Sequence, residues 1–446
     1  MADTAAHLVD RVLPEVPIRQ WVLSLPFALR YRLAYDSRLV TEVLRLFVRA
    51  IFASLRRRAR RKLGVHRGQC GAVTFVQRFG DALNLNVHFH SLVLDGIYEE
   101  SPDGAVAFRP LPPPDDDEVE RVARRVARGL ARLLERRGLG PEADPSEADP
   151  LRDEEPLLAA LYAASVAGRA AMGPRAGQRV ARLGDRIDAD DLPLVEGERC
   201  TSVGGVSLHA NVAVPARDRL RLERLCRYVA RPPVATERLS RMEDGRLLYR
   251  LKHRWRDGTT HVVFEPLELV ERLAALVPPP RFHLVRYHGI LGPCASERDQ
   301  VVPTGRGPEN EDPRAGRSSA PVRSVPQATP AAVQPPVGAL PPSSIPPDDP
   351  EVLADGASPV QAPPARRPRR LAWAELMRRV FAIDVLECPR CGGSMRILAA
   401  IHPPETAHAI LECLALPSRA PPIEPARRDE VEQEVLPELV EDDFGA

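Results

Sequence analysis

The sequence predicts an α+β fold, and two observations carry most of that expectation. Val40, Val43, Leu44, Phe47, Val48, Ile51 and Leu55 recur at three- and four-residue steps, the period of one helix face. Two β-rich segments follow, residues 72–77 and 86–94, with the polar turn residues Gly80 and Asp81 between them and Asp95-Gly96 after them.

Taken in order, residues 1–67 read as helical, with the apolar stripe running into Arg56-Arg57-Arg58-Ala59-Arg60-Arg61-Lys62. Beyond the two strands, residues 116–138 read as an Arg- and Glu-laced helix and 139–156 as an acidic, proline-containing loop. Strands are expected within 202–214 and 246–265. A helix starts near Asp218 and is stopped by Pro232-Pro233, and a short one covers 266–276. From 296 to 366 the chain turns to Pro, Ala, Ser and Arg without aromatics, the composition of a disordered linker. Leu371, Leu376, Val380 and Ile383 then mark a small module that ends in Cys388-Pro389-Arg390-Cys391.

The 446 residues are 44% hydrophobic, enough to bury cores in more than one domain. A formal net charge of +1 hides segregation into a basic block before residue 63, an acidic stretch around 142–155 and an acidic C-terminus. Seven cysteines without a regular framework fit a reducing compartment, and no signal peptide opens the chain. The apolar runs are too short and too interrupted by arginine to cross a bilayer. Secreted, disulfide-stapled and membrane-spanning classes are thus excluded, and a cytoplasmic protein is expected.

The chemistry concentrates in Asn86-Val87-His88-Phe89-His90-Ser91. On a strand, residues two apart share a face, so His88 and His90 project together while Phe89 points into core. Two imidazoles on a rigid strand begin a metal site. Gln77 lies on the preceding strand, on the face of Val73 and Phe75; if the strands pair, its amide oxygen becomes a third ligand, leaving positions open for a phosphate. The plainer alternative is two histidines on a half-exposed strand with no metal, and the triplet alone does not decide between them.

Residues 217–231 read as an amphipathic helix with Leu222, Leu225 and Val229 on one side and Tyr228 near its end, amid Arg224, Arg227 and Arg231. Positive charge there would favour the negative charge of a phosphoryl-transfer transition state. Attack by the hydroxyl would give a covalent phosphotyrosine. An ordinary helix-surface tyrosine is the plainer reading.

Together these residues resemble the transposases of the insertion sequence 91 family, including the common-region elements: rolling-circle enzymes with an HUH nuclease, where U is hydrophobic. The resemblance runs from about Ala5 to Leu291. It includes Val16-Pro17-Ile18-Arg19-Gln20-Trp21, the stretch from Gly71 to Gly96, Tyr228-Val229-Ala230-Arg231, residues 239–249, and Phe282-His283-Leu284-Val285-Arg286-Tyr287-His288-Gly289. It implies a central antiparallel sheet flanked by helices, with the histidines on a middle strand and the tyrosine on a helix. It implies metal binding at His88, His90 and Gln77, with Mg²⁺ or Mn²⁺ as the cofactor, and Tyr228 as the nucleophile. Members with two tyrosines carry the second four residues later; here Pro232 stands there, which implies the single-tyrosine branch. Relatives also carry a cysteine-rich zinc-binding segment just before the stretch matching residues 5–10, and its apparent lack here leaves a truncated, non-catalytic DNA-binding remnant as an alternative. A rolling-circle replication initiator or relaxase is the nearer alternative, although no G-x-x-x-x-G-K-[ST] phosphate loop is present.

The expected organisation is a helical basic N-terminal region over 1–70, the nuclease domain over 71–295, the linker over 296–366, the CxxC module over 367–416 and an acidic tail over 417–446. The expected partner is single-stranded or hairpin DNA at element ends, with no membrane. Arg56, Arg57, Arg58, Arg60, Arg61 and Lys62 are expected to neutralise phosphates together with Arg224, Arg227 and Arg231. Cys388 and Cys391 form half of a zinc-ribbon pattern, which His402, His408 and Cys413 would have to complete at irregular spacing.

Overall fold

The computed structural model describes residues 1–101, 104–140, 149–184, 197–255, 257–303, 371–396, 401 and 404–415. Contacts divide the chain into two units, Met1–Arg306 with Trp373–Ala446, and Gly307–Ala372; nearly all of the second lies outside the described residues. So do most of the expected linker, the expected acidic tail over 417–446, and residues 141–148 of the expected acidic loop.

In chain order the elements are α1 (Ala2–Arg11), β1 (Ile18–Ser24), α2 (Phe27–Tyr35), α3 (Ser37–Leu63), β2 (Gly71–Phe79), β3 (Leu85–Leu94), β4 (Gly96–Glu100) and β5 (Val106–Pro110). Next come α4 (Asp116–Arg136), α5 (Pro150–Glu154), α6 (Pro156–Val166), β6 (Ala181–Gly184), β7 (Cys200–Val203), β8 (Val206–His209), β9 (Ala213–Val214) and α7 (Arg219–Val229). The remainder are β10 (Leu239–Arg241), β11 (Leu247–Arg250), β12 (Thr259–Phe264), α8 (Pro266–Leu276), β13 (Val285–Gly289), α9 (Arg298–Val301), α10 (Trp373–Phe381) and α11 (Pro404–Cys413).

The central sheet is antiparallel throughout, in the order β13-β2-β3-β1-β8-β7, with β9 beside β1. A second sheet runs β10-β11-β12-β6, and β4 pairs with β5. Strand alternation divides the core in two. Ile18, Val73, Phe75 and Leu92 face α1 and α7, where Leu8, Val9, Leu222 and Leu225 join them. Trp21, Leu23, Val76, Phe89 and Val93 face α3 and α4. Phe89 stacks on Phe47 of α3 with ring centroids 6.4 Å apart. The histidine strand β3 is therefore buried along its whole length rather than half-exposed.

Four expectations change. Residues 150–154, within the expected loop, form the short helix α5, capped by Asp149 and started by Pro150. Residues 1–67 are not helical throughout, because β1 is inserted between β3 and β8. Pro17 and Pro26 bracket the segment, and Ile18, Trp21 and Val22 are residues that fit a pleated, buried surface. Within 202–214 the chain folds as a hairpin plus a short strand, broken at Gly204-Gly205, both at positive φ. The folded unit also runs past residue 296, since α9 buries Val301 against the α1–α7 core. No helix among the described residues is long and apolar enough to cross a membrane.

Candidate active site

The register of β2 on β3 sets Gln77 directly opposite His88 and Phe75 opposite His90. All three polar side chains thus lie on the face covered by α7. The rings of His88 and His90 are 4.9 Å apart, and the Tyr228 ring lies 6.3 Å from that of His90. Gln77 Nε2 donates to the Val229 carbonyl at 2.8 Å, which ties the C-terminal end of the tyrosine helix to the histidine-bearing sheet. The helix is seated at its other end by Asp218, whose carboxylate accepts from the Arg221 amide. Arg219 adds hydrogen bonds to the carbonyls of Leu13 and Pro14.

The donor atoms suit a cation. Gln77 Oε1 is buried and accepts no hydrogen bond among the described residues, as expected of an amide oxygen aimed at a ligand. His88 Nδ1 lies 3.0 Å from the Asn86 carbonyl. A carbonyl only accepts, so Nδ1 carries the proton and Nε2 the lone pair. His90 Nδ1 lies 2.7 Å from Gln20 Nε2, an orientation in which the amide donates to the ring and the ring proton stands on Nε2. Oxygen and nitrogen of an amide exchange by a half-turn. With Gln20 Oε1 toward the ring, the lone pair of His90 stands on Nε2. Burial pushes the His90 pKa well below its ordinary value, and His88, Arg231 and Lys252 push it further, which favours the neutral form a ligand needs. Among the described residues no three His, Cys, Asp or Glu side chains form a metal cage. The set is two imidazoles and an amide, all uncharged, so a divalent cation there would keep its full charge for a phosphate.

Two cations flank the tyrosine. The Arg231 guanidinium sits 4.5 Å and the Lys252 ammonium 4.9 Å from the centre of the Tyr228 ring. Lys252 has no counterpart in the sequence expectations. It follows β11, and its backbone amide donates to both Asp81 oxygens at 3.0 Å. Asp81, legible in the sequence only as a turn residue, also pairs with Arg238 at 3.2 Å, so the second sheet is tied to the turn between β2 and β3. Gln20 was equally hidden, on a strand read as helix. Of the arginines expected around Tyr228 only Arg231 touches it; Arg224 is exposed, Arg227 is half-buried, and neither contacts the ring.

The basic block at the end of α3 is not brought to Tyr228, because α3 covers the opposite face of the sheet. Arg58 is buried and donates to the Pro112 carbonyl, so it is withdrawn from any DNA contact. Arg57 pairs with Glu118 at 2.6 Å, and Arg56 donates to the Gly68 carbonyl. Arg60, Arg61 and Lys62 are exposed. Cys388 and Cys391 form a tight knuckle in which Gly392 donates to the Cys388 carbonyl. His408 pairs instead with Glu412, His402 lies outside the described residues, and no further ligand joins the two thiols among the described residues.

Comparison with protein families matches residues 71–299 to the family described as "Putative transposase". Searches of curated proteins and of solved structures find no match. The matched segment covers more than half of the 446 residues and runs from β2 to the start of α9. Gln77, His88, His90, Tyr228, Arg231 and Lys252 all lie inside it, and the chain belongs to this transposase family.

Proposed function

We propose that the chain is a rolling-circle transposase of the HUH type that cuts and rejoins single-stranded or hairpin DNA through Tyr228. The observation that carries this reading is the meeting of Gln77, His88 and His90 on one face of the sheet, with the Tyr228 ring 6.3 Å from that of His90 and the helix of Tyr228 bonded to Gln77 itself. His88 Nε2, His90 Nε2 and Gln77 Oε1 would hold Mg²⁺ or Mn²⁺, and imidazole donors suit Mn²⁺ somewhat better. A bound cation would act as a Lewis acid on the scissile phosphate. Arg231 and Lys252 hold the phosphate against the tyrosine and offset the charge that develops on its oxygens. The Tyr228 oxygen forms a bond to phosphorus and loses its proton to solvent. The bond to the 3′ oxygen breaks, and that oxygen leaves as a hydroxyl. The 5′ phosphate stays on the protein as an ester, and the reverse step, with a new 3′ hydroxyl, rejoins DNA without external energy.

The test uses single-stranded oligonucleotides drawn from the DNA flanking the gene, incubated with protein and Mn²⁺. The wild type is expected to yield a denaturation-resistant adduct carrying the 5′ phosphate, mapped to Tyr228. Tyr228→Phe should lower cleavage by several orders of magnitude with DNA affinity kept. Attachment at Tyr249 or Tyr287, or cleavage at full rate in excess chelator, would overturn the assignment.

A further inference from the structure

The α3–α4 layer carries a feature that the tyrosine site does not use. Between the two helices lies a groove of about 440 Å³ lined by Leu46, Arg49, Arg125, Arg128, Gly129 and Arg132. Gly129 keeps it open: a Cβ there would sit 3.3 Å from the Leu46 side chain. Four other arginines of these helices are paired or buried. Arg121 and Arg57 pair with Glu118, Arg124 with Glu120, and Arg58 is buried. The four in the groove are exposed, and none has a carboxylate partner among the described residues. Four like charges converging from two helices repel one another, a cost that a polyanion removes.

We infer that this groove is a second DNA-binding surface, taking the phosphate backbone of duplex DNA on the face of the molecule opposite the strand at Tyr228. The inference rests on the transposase reading and extends it to a second DNA segment. The placement follows from the core: α3 and α4 pack on Trp21, Leu23 and Val76, whereas α7 packs on Val73, Phe75 and Leu92, which point the other way. One strand bound at Tyr228 therefore does not occupy both surfaces. The charge spacing fits a backbone. From Arg125 to Arg132 a helix rises about 10 Å, the span of about three phosphates of one strand counted along the duplex axis at roughly 3.4 Å each. Exposed Arg60 lies about three turns beyond Arg49 on α3, on the same side of the helix. Arginine heads with no base-reading partners imply contact without sequence preference.

The experiment compares the full-length protein with R49Q/R125Q/R128Q/R132Q and with the matching lysine variant. Affinity for a duplex of arbitrary sequence is measured across a salt series, and cleavage is measured on a short single-stranded oligonucleotide. The glutamine variant should lower the slope of log affinity against log salt by about three to four. It should weaken duplex binding at least tenfold while cleaving the short strand at the wild-type rate. The lysine variant should restore the slope. An unchanged slope overturns the inference, as does a loss of short-strand cleavage in step with duplex binding, which would put the groove in the path of the scissile strand. A wild type that shows the slope change against its variant but never cleaves would count against the chemistry at Tyr228 and leave the groove standing.

Discussion

The side chain of Gln20 stands 2.7 Å from His90 Nδ1, placed to orient the imidazole rather than to react. An outer partner of this kind sets the tautomer of a ligating histidine, and its loss typically lowers metal affinity about 10- to 100-fold. Gln20→Leu should show that loss in a Mn²⁺ titration followed by calorimetry, with the melting temperature little changed. Gln20→Glu, which can only accept from Nδ1–H, should restore binding. Wild-type Mn²⁺ affinity in Gln20→Leu would mean that something else orients His90. Lys252 acts on the other side of the site, over the Tyr228 ring. Lys252→Met keeps the aliphatic stem and removes the charge; cleavage should fall about 100-fold, with the apparent Mn²⁺ affinity retained. A fall in Mn²⁺ affinity instead would place Lys252 in the support of the ligands rather than beside the phosphate.

At the scale of elements, the site depends on where β1 lies relative to β3. Their register sets Val22 against His90, and a buried ion pair, Arg19 with Asp95 at 2.8 Å, closes the far end of the pairing. Arg19 also donates to the Ala210 carbonyl, so one guanidinium serves three parts of the chain. Burial raises the Asp95 carboxyl pKa even against the pull of Arg19 and Arg58. The pair therefore adds little net stability, and its worth is in specifying register, which a one-residue slip would destroy by turning every side chain over. Removing one partner leaves the other charged and buried. Asp95→Ala should cost about 3–5 kcal/mol in urea unfolding. Arg19→Met with Asp95→Leu should cost much less, and equal costs for the single and double variants would remove the pair from this role. On α7, Asp218→Ala removes the cap and should cost about 1 kcal/mol.

The whole molecule puts its histidines and its arginines to opposite uses. His90 is held neutral by burial, and burial with help from Arg286 pulls His288 on β13 down to about 4. Both pKa values are lower in the folded chain than the reference of about 6.5. Below that value the unfolded chain binds protons that the folded chain refuses. Stability is therefore full above about pH 6.5 and falls as pH drops toward the folded values. His288 by itself should account for about 2 kcal/mol between pH 7 and 5. Urea midpoints at the two pH values, compared between the wild type and His288→Gln, check this; the same pH slope in both would remove His288 as a cause. Some arginines, by contrast, have internal partners while four line the open α3–α4 groove, so a net charge close to zero coexists with a strongly basic groove.

The sequence by itself determined what local period and chain order can determine. The apolar stripe of α3, the β-rich pair, the capped tyrosine helix and the Pro-started α8 each satisfy a nearest-neighbour rule, and all appear where those rules put them. That His88 and His90 share a face follows from the two-residue period of any strand. Which residues meet across strands does not follow. Gln77 faces His88 because β2 and β3 pair without slipping at that point. Gln20 reaches His90 because β1 enters the sheet centre, and Lys252 reaches Tyr228 because Asp81 holds the loop after β11. The fate of the arginines was equally hidden: Arg58 turns inward, while Arg49 and Arg132, unremarkable in the sequence, converge on one groove. Period is a property of neighbouring residues and can be read in one dimension. Register, burial and the convergence of distant charges are decided by packing the whole chain at once, and only the tertiary structure holds them.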